Sequence, residues 1–261
     1  IRRQRQMCIR DRAYYQQELF DRALAPAQKA VDLAEKPQES WIQLVLALHL
    51  QKEHWKEAVP LLKRLINMAP DKKTYWQQLS SVYGQLGQYS EALAIMQLAH
   101  GAGLLTSDSD VKRLADLLLF NDIPYRCAQV LEEGIAKNIL KPDSKLYEKQ
   151  ANCWIAAREF KKSIEPLSRA AESSGNGDLY VRLGEVQVQR SDWDGASAAL
   201  GKGLKKGGLK NTGNAQLMLG IALYNQKKLT EAEAWFEKAK SSEKSRKTAE
   251  GYLQLIQAQA S

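Results

Sequence analysis

The chain has 261 residues, of which 44% are hydrophobic and 26% are charged, and its formal net charge at pH 7 is +8. No apolar run is long enough to cross a membrane as a helix, so no transmembrane segment is predicted. The 16 Gly and seven Pro are too few for a low-complexity chain. Ala, Leu, Gln, Lys and Glu dominate and β-branched residues are sparse, which predicts a helical protein.

Residues 1–12, IRRQRQMCIRDR, show no helical apolar stripe. They closely resemble the translated read-through of a sequencing adaptor, so we predict a non-native segment; a genuine basic tail is the alternative. We also expect the native N-terminus, with further repeats, to be missing. Five Arg and one Asp give this segment a net charge of +4. Half of the basic character therefore lies there, so the charge of the remaining chain does not predict a nucleic-acid partner.

The rest of the chain repeats one pattern every 33 to 36 residues. A small residue follows three positions after an aromatic or apolar one, early in the second of two amphipathic helices. Trp76 to Ala99 shows one such pair of helices, joined by a short turn at Gly87. Seven small residues mark the series: Ala23, Ala58, Ala92, Cys127, Ser163, Ala196 and Ala232.

This pattern resembles the tetratricopeptide repeat, a helix–turn–helix unit of 34 residues with the signature W-x2-LG-x2-Y, then A-x3-F-x2-A. The signature is nearly complete at Leu219, Gly220, Leu223, Ala232, Phe236 and Ala239. The resemblance implies an all-α, right-handed α-solenoid of about seven repeats over residues 13–244, the first of them truncated. Residues 245–261 are predicted to form a C-terminal capping helix. The register of the helix after Trp41 stays open by one residue.

Cys127 and Cys153 each lie on an apolar helical face, and no CxxC pair occurs. We predict two buried, unpaired thiols, with a disulfide between them as the alternative. The three His form no metal-ligand pattern, so no metal site is predicted. The Gly- and Lys-rich residues 201–208 lack the order of a phosphate-binding loop and follow a helix. No catalytic constellation is present, so neither an enzyme nor a cofactor is predicted.

Such repeats bind partners along a concave groove lined by first helices, and the resemblance transfers the groove positions by register. The predicted binding residues are Gln77, Ser81, Gln85, Lys112, Asp116, Phe120, Lys145, Glu148, Asn152, Glu185, Val188, Leu217, Ile221 and Tyr224. The last three form an apolar patch, for which burial beneath the C-terminal helix is an equal alternative.

The runs NDIPYRCAQVLEEGI and SEKSRKTAEGYLQLI resemble the periplasmic tetratricopeptide proteins that accompany TonB–ExbB–ExbD systems in gammaproteobacteria. This resemblance implies a periplasmic, non-enzymatic scaffold that binds a protein or peptide partner, with a TonB-system component as the specific candidate. The alternative functions are a non-catalytic domain of a larger enzyme and a nucleic-acid-associated protein, and the alternative location is the cytoplasm. Lys clusters near residues 202–206 and 244–247 favour the second alternative.

Overall fold

The computed structural model describes residues 20–260, and this range holds 14 α-helices and no strand. The predicted non-native segment, residues 1–12, lies outside the described residues. The helices are α1 (Phe20–Asp32), α2 (Glu39–Gln51), α3 (Trp55–Met68), α4 (Lys73–Gln85), α5 (Tyr89–Gly101), α6 (Asp108–Phe120), α7 (Pro124–Ala136), α8 (Ser144–Ala156), α9 (Phe160–Ser173), α10 (Asp178–Gln189), α11 (Trp193–Lys206), α12 (Thr212–Asn225), α13 (Leu229–Ala239) and α14 (Glu243–Ala260).

The described residues form two compact units, which divide between Asp122 and Ile123. The N-terminal unit contains α1 to α6 and the C-terminal unit contains α7 to α14. Within each unit every helix packs against the next one in the chain. Neighbouring helix pairs therefore cover the apolar faces that a single pair would leave in water.

Small residues mark the closest helix contacts. All seven predicted small positions are 0–1% exposed, from Ala23 to Ala232. The buried hydroxyl of Ser80 donates a hydrogen bond to the carbonyl oxygen of Ala92 at 2.9 Å, across the contact between α4 and α5. The absence of long side chains at these positions lets the helix axes approach, and larger neighbours fill the space between pairs.

The turns within the repeats share one backbone feature. A residue with φ between 55° and 71° follows each first helix, at Glu53, Gly87, Asp122, Arg158, Ser191 and Lys227. This left-handed conformation ends the helix and reverses the chain. Only Gly87 takes it without steric cost, because the other five residues carry a Cβ atom.

The register left open in α2 is settled by burial. Ile42, Val45, Leu48 and His49 are 0–8% exposed, and Trp41 is only partly buried. The apolar stripe that begins at Ile42 therefore faces the centre of the N-terminal unit.

The prediction of unpaired thiols was wrong. Cys127 of α7 and Cys153 of α8 form a disulfide, with Cα atoms 5.9 Å apart. Both side chains are fully buried, because Cys127 occupies the small position of its repeat and Cys153 faces it from the next first helix. Two cysteines on apolar faces can pair only when those faces meet, and the packing of α7 on α8 brings them together.

Candidate functional site

In the N-terminal unit, α4 places the predicted residues Gln77, Ser81 and Gln85 on the wall of one cavity of about 410 Å³. Their spacing of four residues puts them on one face of the helix. The Gln77 amide donates a hydrogen bond to the carboxylate of Asp110 on α6. Further lining comes from Leu50, Trp55, Thr74, Gln78, Val82 and Arg113. The cavity thus combines amide and hydroxyl groups with an apolar floor.

A second cavity of about 640 Å³ is lined by the predicted α6 residues Lys112, Asp116 and Phe120. The Lys112 ammonium forms an ion pair with Asp108 at 2.8 Å. Phe120 contacts Tyr89 of α5, with ring centroids 4.5 Å apart. Both rings remain accessible, since Phe120 is 63% and Tyr89 is 43% exposed.

Arg113 lines both of these cavities. Its exposed guanidinium donates a hydrogen bond to the Ser81 hydroxyl at 3.3 Å. Transfer by repeat position did not select Arg113, because it lies one residue after Lys112. The sequence signal that could have found it is the pair of adjacent cations on a predicted first helix.

The buried Asp110 carboxylate holds α6 beside α4. It accepts a hydrogen bond from the Lys73 ammonium at 2.8 Å, and it caps α6 together with Ser107. Burial raises the pKa of Asp110, but the hydrogen bonds from Lys73 and Ser107 outweigh burial and leave the pKa below its ordinary value. The carboxylate is therefore charged at neutral pH and fixes the helix that carries Lys112 and Arg113.

In the C-terminal unit the predicted residues lie on two neighbouring first helices. Lys145, Glu148 and Asn152 are on α8, while Glu185 and Val188 are on α10. Arg182 of α10 bridges the two helices through an ion pair with Glu148 at 3.7 Å.

Two groups in this set are poorly solvated. Burial raises the pKa of Glu185, and the nearby Arg182 partly opposes this shift. The buried Oδ1 atom of Asn152 has no hydrogen-bond partner among the described residues. Such an acceptor is left to a ligand or to water.

The apolar patch on α12 consists of Leu217, Ile221 and Tyr224. Of the two predicted alternatives, ligand contact or packing beneath the C-terminal helix, the structure shows the packing. Tyr224 contacts Tyr252 of α14 with ring centroids 5.4 Å apart, and the Gln259 amide donates to the Tyr224 hydroxyl at 2.7 Å. Leu217 and Ile221 belong to the same apolar cluster as Tyr252 and Leu253. Leu217 is therefore buried in the apolar cluster of the C-terminal unit, and Ile221 and Tyr224 are partly buried against it.

Within residues 20–260, no group of three or more His, Cys, Asp or Glu is arranged to hold a metal ion. Of the helices described, none has both the length and the apolar character that a membrane span requires.

Models of the tetratricopeptide repeat match residues 74–99 and 181–246. A chain in the structure of Naa15/Naa10 bound to HypK-THB is similar in fold, with a TM-score of 0.71 and 13% identity. The match covers 98% of this chain and 39% of that one. A search of curated proteins found no match.

Two smaller structures are also similar. YrrB has a TM-score of 0.54 and 11% identity, and the match covers 73% of this chain and 97% of YrrB. MamA of AMB-1 has a TM-score of 0.52 and 17% identity, with 66% and 92% covered. The chain therefore contains tetratricopeptide repeats, and the predicted fold class, an all-α helical-repeat solenoid, is confirmed.

Proposed function

We propose that this protein is a non-enzymatic scaffold that binds a peptide segment of a partner protein along the first helices of its repeats. The observation that carries the proposal is the pair of cavities on α4 and α6, lined by exposed amide, hydroxyl, aromatic and charged groups. YrrB, described as a tetratricopeptide protein with an unusual peptide-binding site, supports it by analogy of fold.

The lining suits a polypeptide ligand. A Gln side chain presents both a donor and an acceptor, so Gln77, Gln78 and Gln85 match the N–H and C=O groups of a peptide backbone. The charged side chains around Lys112 would fix register and orientation more than they add affinity.

Site-specific photo-crosslinking in cells tests the proposal. A benzophenone side chain is placed at Gln85 on the cavity wall, or at the exposed Lys63 of the second helix α3 as the matched control. We expect one partner to be captured at position 85 and not at position 63. The captured segment, made as a synthetic peptide, should bind the purified protein. Equal capture at both positions would contradict the groove assignment.

We further propose that the protein works in an oxidising compartment, specifically the periplasm. The buried disulfide between Cys127 and Cys153 supports this location, because such bonds persist where thiols are not kept reduced. Acid quenching of cells, alkylation and mass spectrometry measure the state of both cysteines. Free thiols in the protein from cells, together with its recovery in the cytoplasmic fraction, would contradict the proposal.

For the partner we propose a component of a TonB–ExbB–ExbD system. Support comes from the resemblance of the runs that begin at Asn121 and Ser242. The crosslink at position 85 should disappear in a strain that lacks these genes and return when they are supplied. An unchanged crosslink in the deletion strain would contradict a TonB-system partner but would not contradict the scaffold proposal.

A further inference from the structure

The C-terminal unit contains a smaller cavity, of about 240 Å³, between the second helices α7 and α9. The first helix α8 also lines it, but none of the predicted groove residues takes part. Cavities that accept drug-sized molecules measure about 300–1,000 Å³, so this one suits a smaller group, such as a single side chain. A ligand in this cavity would be distinct from the peptide proposed for the first helices.

Gln150 of α8 is a buried polar group in the wall of this cavity. It is only 7% exposed, yet its amide forms no hydrogen bond with another residue in the range 20–260. Neither the oxygen nor the nitrogen of this amide is fully enclosed. A buried amide without a partner costs free energy, and a ligand in the cavity can form the missing hydrogen bond.

The charged groups of the cavity leave a surplus of one negative charge. The Arg169 guanidinium donates hydrogen bonds to the Glu165 carboxylate at 2.7 Å and to the Tyr147 hydroxyl at 3.0 Å. Its charge is therefore neutralised within the wall. Glu132 of α7 is exposed, and among the described residues it enters no ion pair or hydrogen bond. Two carboxylates and one guanidinium give a net charge of −1, which is complementary to a cation.

The remaining wall is apolar. Pro166 of α9 is buried, and Ile135 and Ala136 of α7 lie across from it at the same cavity. Long cationic side chains place their methylene groups along apolar surface and their charged end against polar groups. The cavity offers both kinds of surface to one small ligand.

From these observations we infer that this cavity binds an alkylammonium group, which is the chemistry of a lysine side chain and of small free amines. The ammonium pairs with Glu132 and donates a hydrogen bond to the amide oxygen of Gln150. The alkyl stem lies along Ile135 and Pro166. This site does not depend on the proposed function, because it uses no residue of the groove.

Nuclear magnetic resonance of the full chain, labelled with ¹⁵N, tests the inference. The Gln150 side-chain amide is assigned by the loss of its signals in Gln150→Met. Butylammonium, butyrate and butanol serve as probes, since they share one alkyl chain and differ in charge. We expect a saturable shift of the Gln150 signals with millimolar butylammonium and none with the other two. An equal response to butyrate, or no response to any probe, would overturn the inference.

Charge substitutions assign the ammonium contact. Glu132→Gln should weaken butylammonium at least tenfold. Glu233→Gln on α13 is the matched control, because it removes an exposed carboxylate elsewhere in the same unit and should change affinity less than twofold. Arg169→Gln should not weaken the cation, since it removes a positive charge and releases Glu165. A tenfold loss in Arg169→Gln would show that the arginine holds the ligand and would refute the charge assignment.

Gln150→Met separates a binding role of the amide from a structural one. The substitution should weaken butylammonium at least threefold, because the acceptor is lost. It should also raise the midpoint of urea unfolding, since an apolar side chain of similar size replaces an unpaired buried amide. A lowered midpoint would show that the amide stabilises the fold through a partner of its own, which would contradict the inference.

A further probe distinguishes the two sources of an alkylammonium group. Nα-acetyl-lysine methylamide carries the same ammonium on a stem that is attached to a peptide backbone. Affinity equal to or above that of butylammonium would assign the site to a lysine side chain of another protein. Weaker binding would assign it to a free amine, because the backbone then does not fit at the mouth of the cavity. Binding of neither probe would overturn the site.

Discussion

Cys127 and Cys153 join two different repeats by a disulfide, 26 residues apart in the sequence, between α7 and α8 of the C-terminal unit. The bond closes a loop that the unfolded chain would otherwise leave open. In the chain-entropy model, a loop of this length corresponds to a stabilisation of about 3.5 kcal/mol.

Reduction of this disulfide is therefore expected to lower the midpoint of urea unfolding of the C-terminal unit, with a loss of about 2–4 kcal/mol. Far-UV circular dichroism with and without dithiothreitol measures the shift. The double variant Cys127→Ser, Cys153→Ser should show a similar midpoint under both conditions. An unchanged midpoint of the wild type on reduction would contradict the prediction.

Replacement of Gly220 by Ala should destabilise the protein although Ala is the better helix former. A Cβ atom at this position would lie 2.6 and 2.7 Å from the ring of Phe236, which is fully buried. We expect a loss of about 1–3 kcal/mol from overpacking.

The matched control is Gly251→Ala on α14, where the added Cβ would meet no atom within 4 Å apart from the adjacent residues and the local backbone of its own helix. At this position only helix propensity changes, so we expect the free energy of unfolding to rise by about 0.5–1 kcal/mol. Chemical denaturation of both variants provides the comparison. If both substitutions raised the free energy of unfolding, α12 and α13 would pack less closely than described.

Replacement of Asp110 by Asn should cost about 2 kcal/mol at pH 7, because it removes the charge-assisted hydrogen bond from Lys73. The folded pKa of Asp110 lies below its ordinary value, so its stabilising contribution is complete above the unfolded pKa near 3.9. That contribution is lost as the pH falls through the folded pKa.

The difference in unfolding free energy between wild type and Asp110→Asn should consequently narrow below about pH 4. Urea titrations at several pH values measure it. Asp71→Asn, at an exposed residue, serves as the control and should stay within about 0.5 kcal/mol of wild type. If the difference in unfolding free energy between wild type and Asp110→Asn grew as the pH fell, the assigned role of the carboxylate would be refuted.

Tyr252 should anchor the C-terminal helix. Its ring stacks on Phe236 at 4.9 Å and contacts Tyr224 at 5.4 Å. Tyr252→Ala is expected to cost about 3 kcal/mol, since it opens a cavity in the apolar cluster. Leu255 on the same helix is 52% exposed, so Leu255→Ala should change stability by less than about 0.5 kcal/mol. Thermal melts of both variants test the contrast, and equal effects would contradict it.

Much of the candidate site follows from register once the repeat is identified. The spacing of Gln77, Ser81 and Gln85 alone predicts a shared helix face, and the structure places all three around one cavity. Leu217 and Tyr224 obey the same register but pack against α14, because the apolar face of α14 meets α12 at these positions. Whether the remaining groove positions bind a ligand stays a prediction.

By itself the sequence determined the helical class, the repeat period and the seven small positions, because these depend on which residues share a face within one helix. The tertiary structure decided the pairing of Cys127 with Cys153, the register of α2, the packing of the α12 patch against α14 and the position of Arg113 between two cavities. Each of these depends on which faces of different helices meet. Periodicity along the chain sets the face of one helix, while packing between helices sets its neighbour.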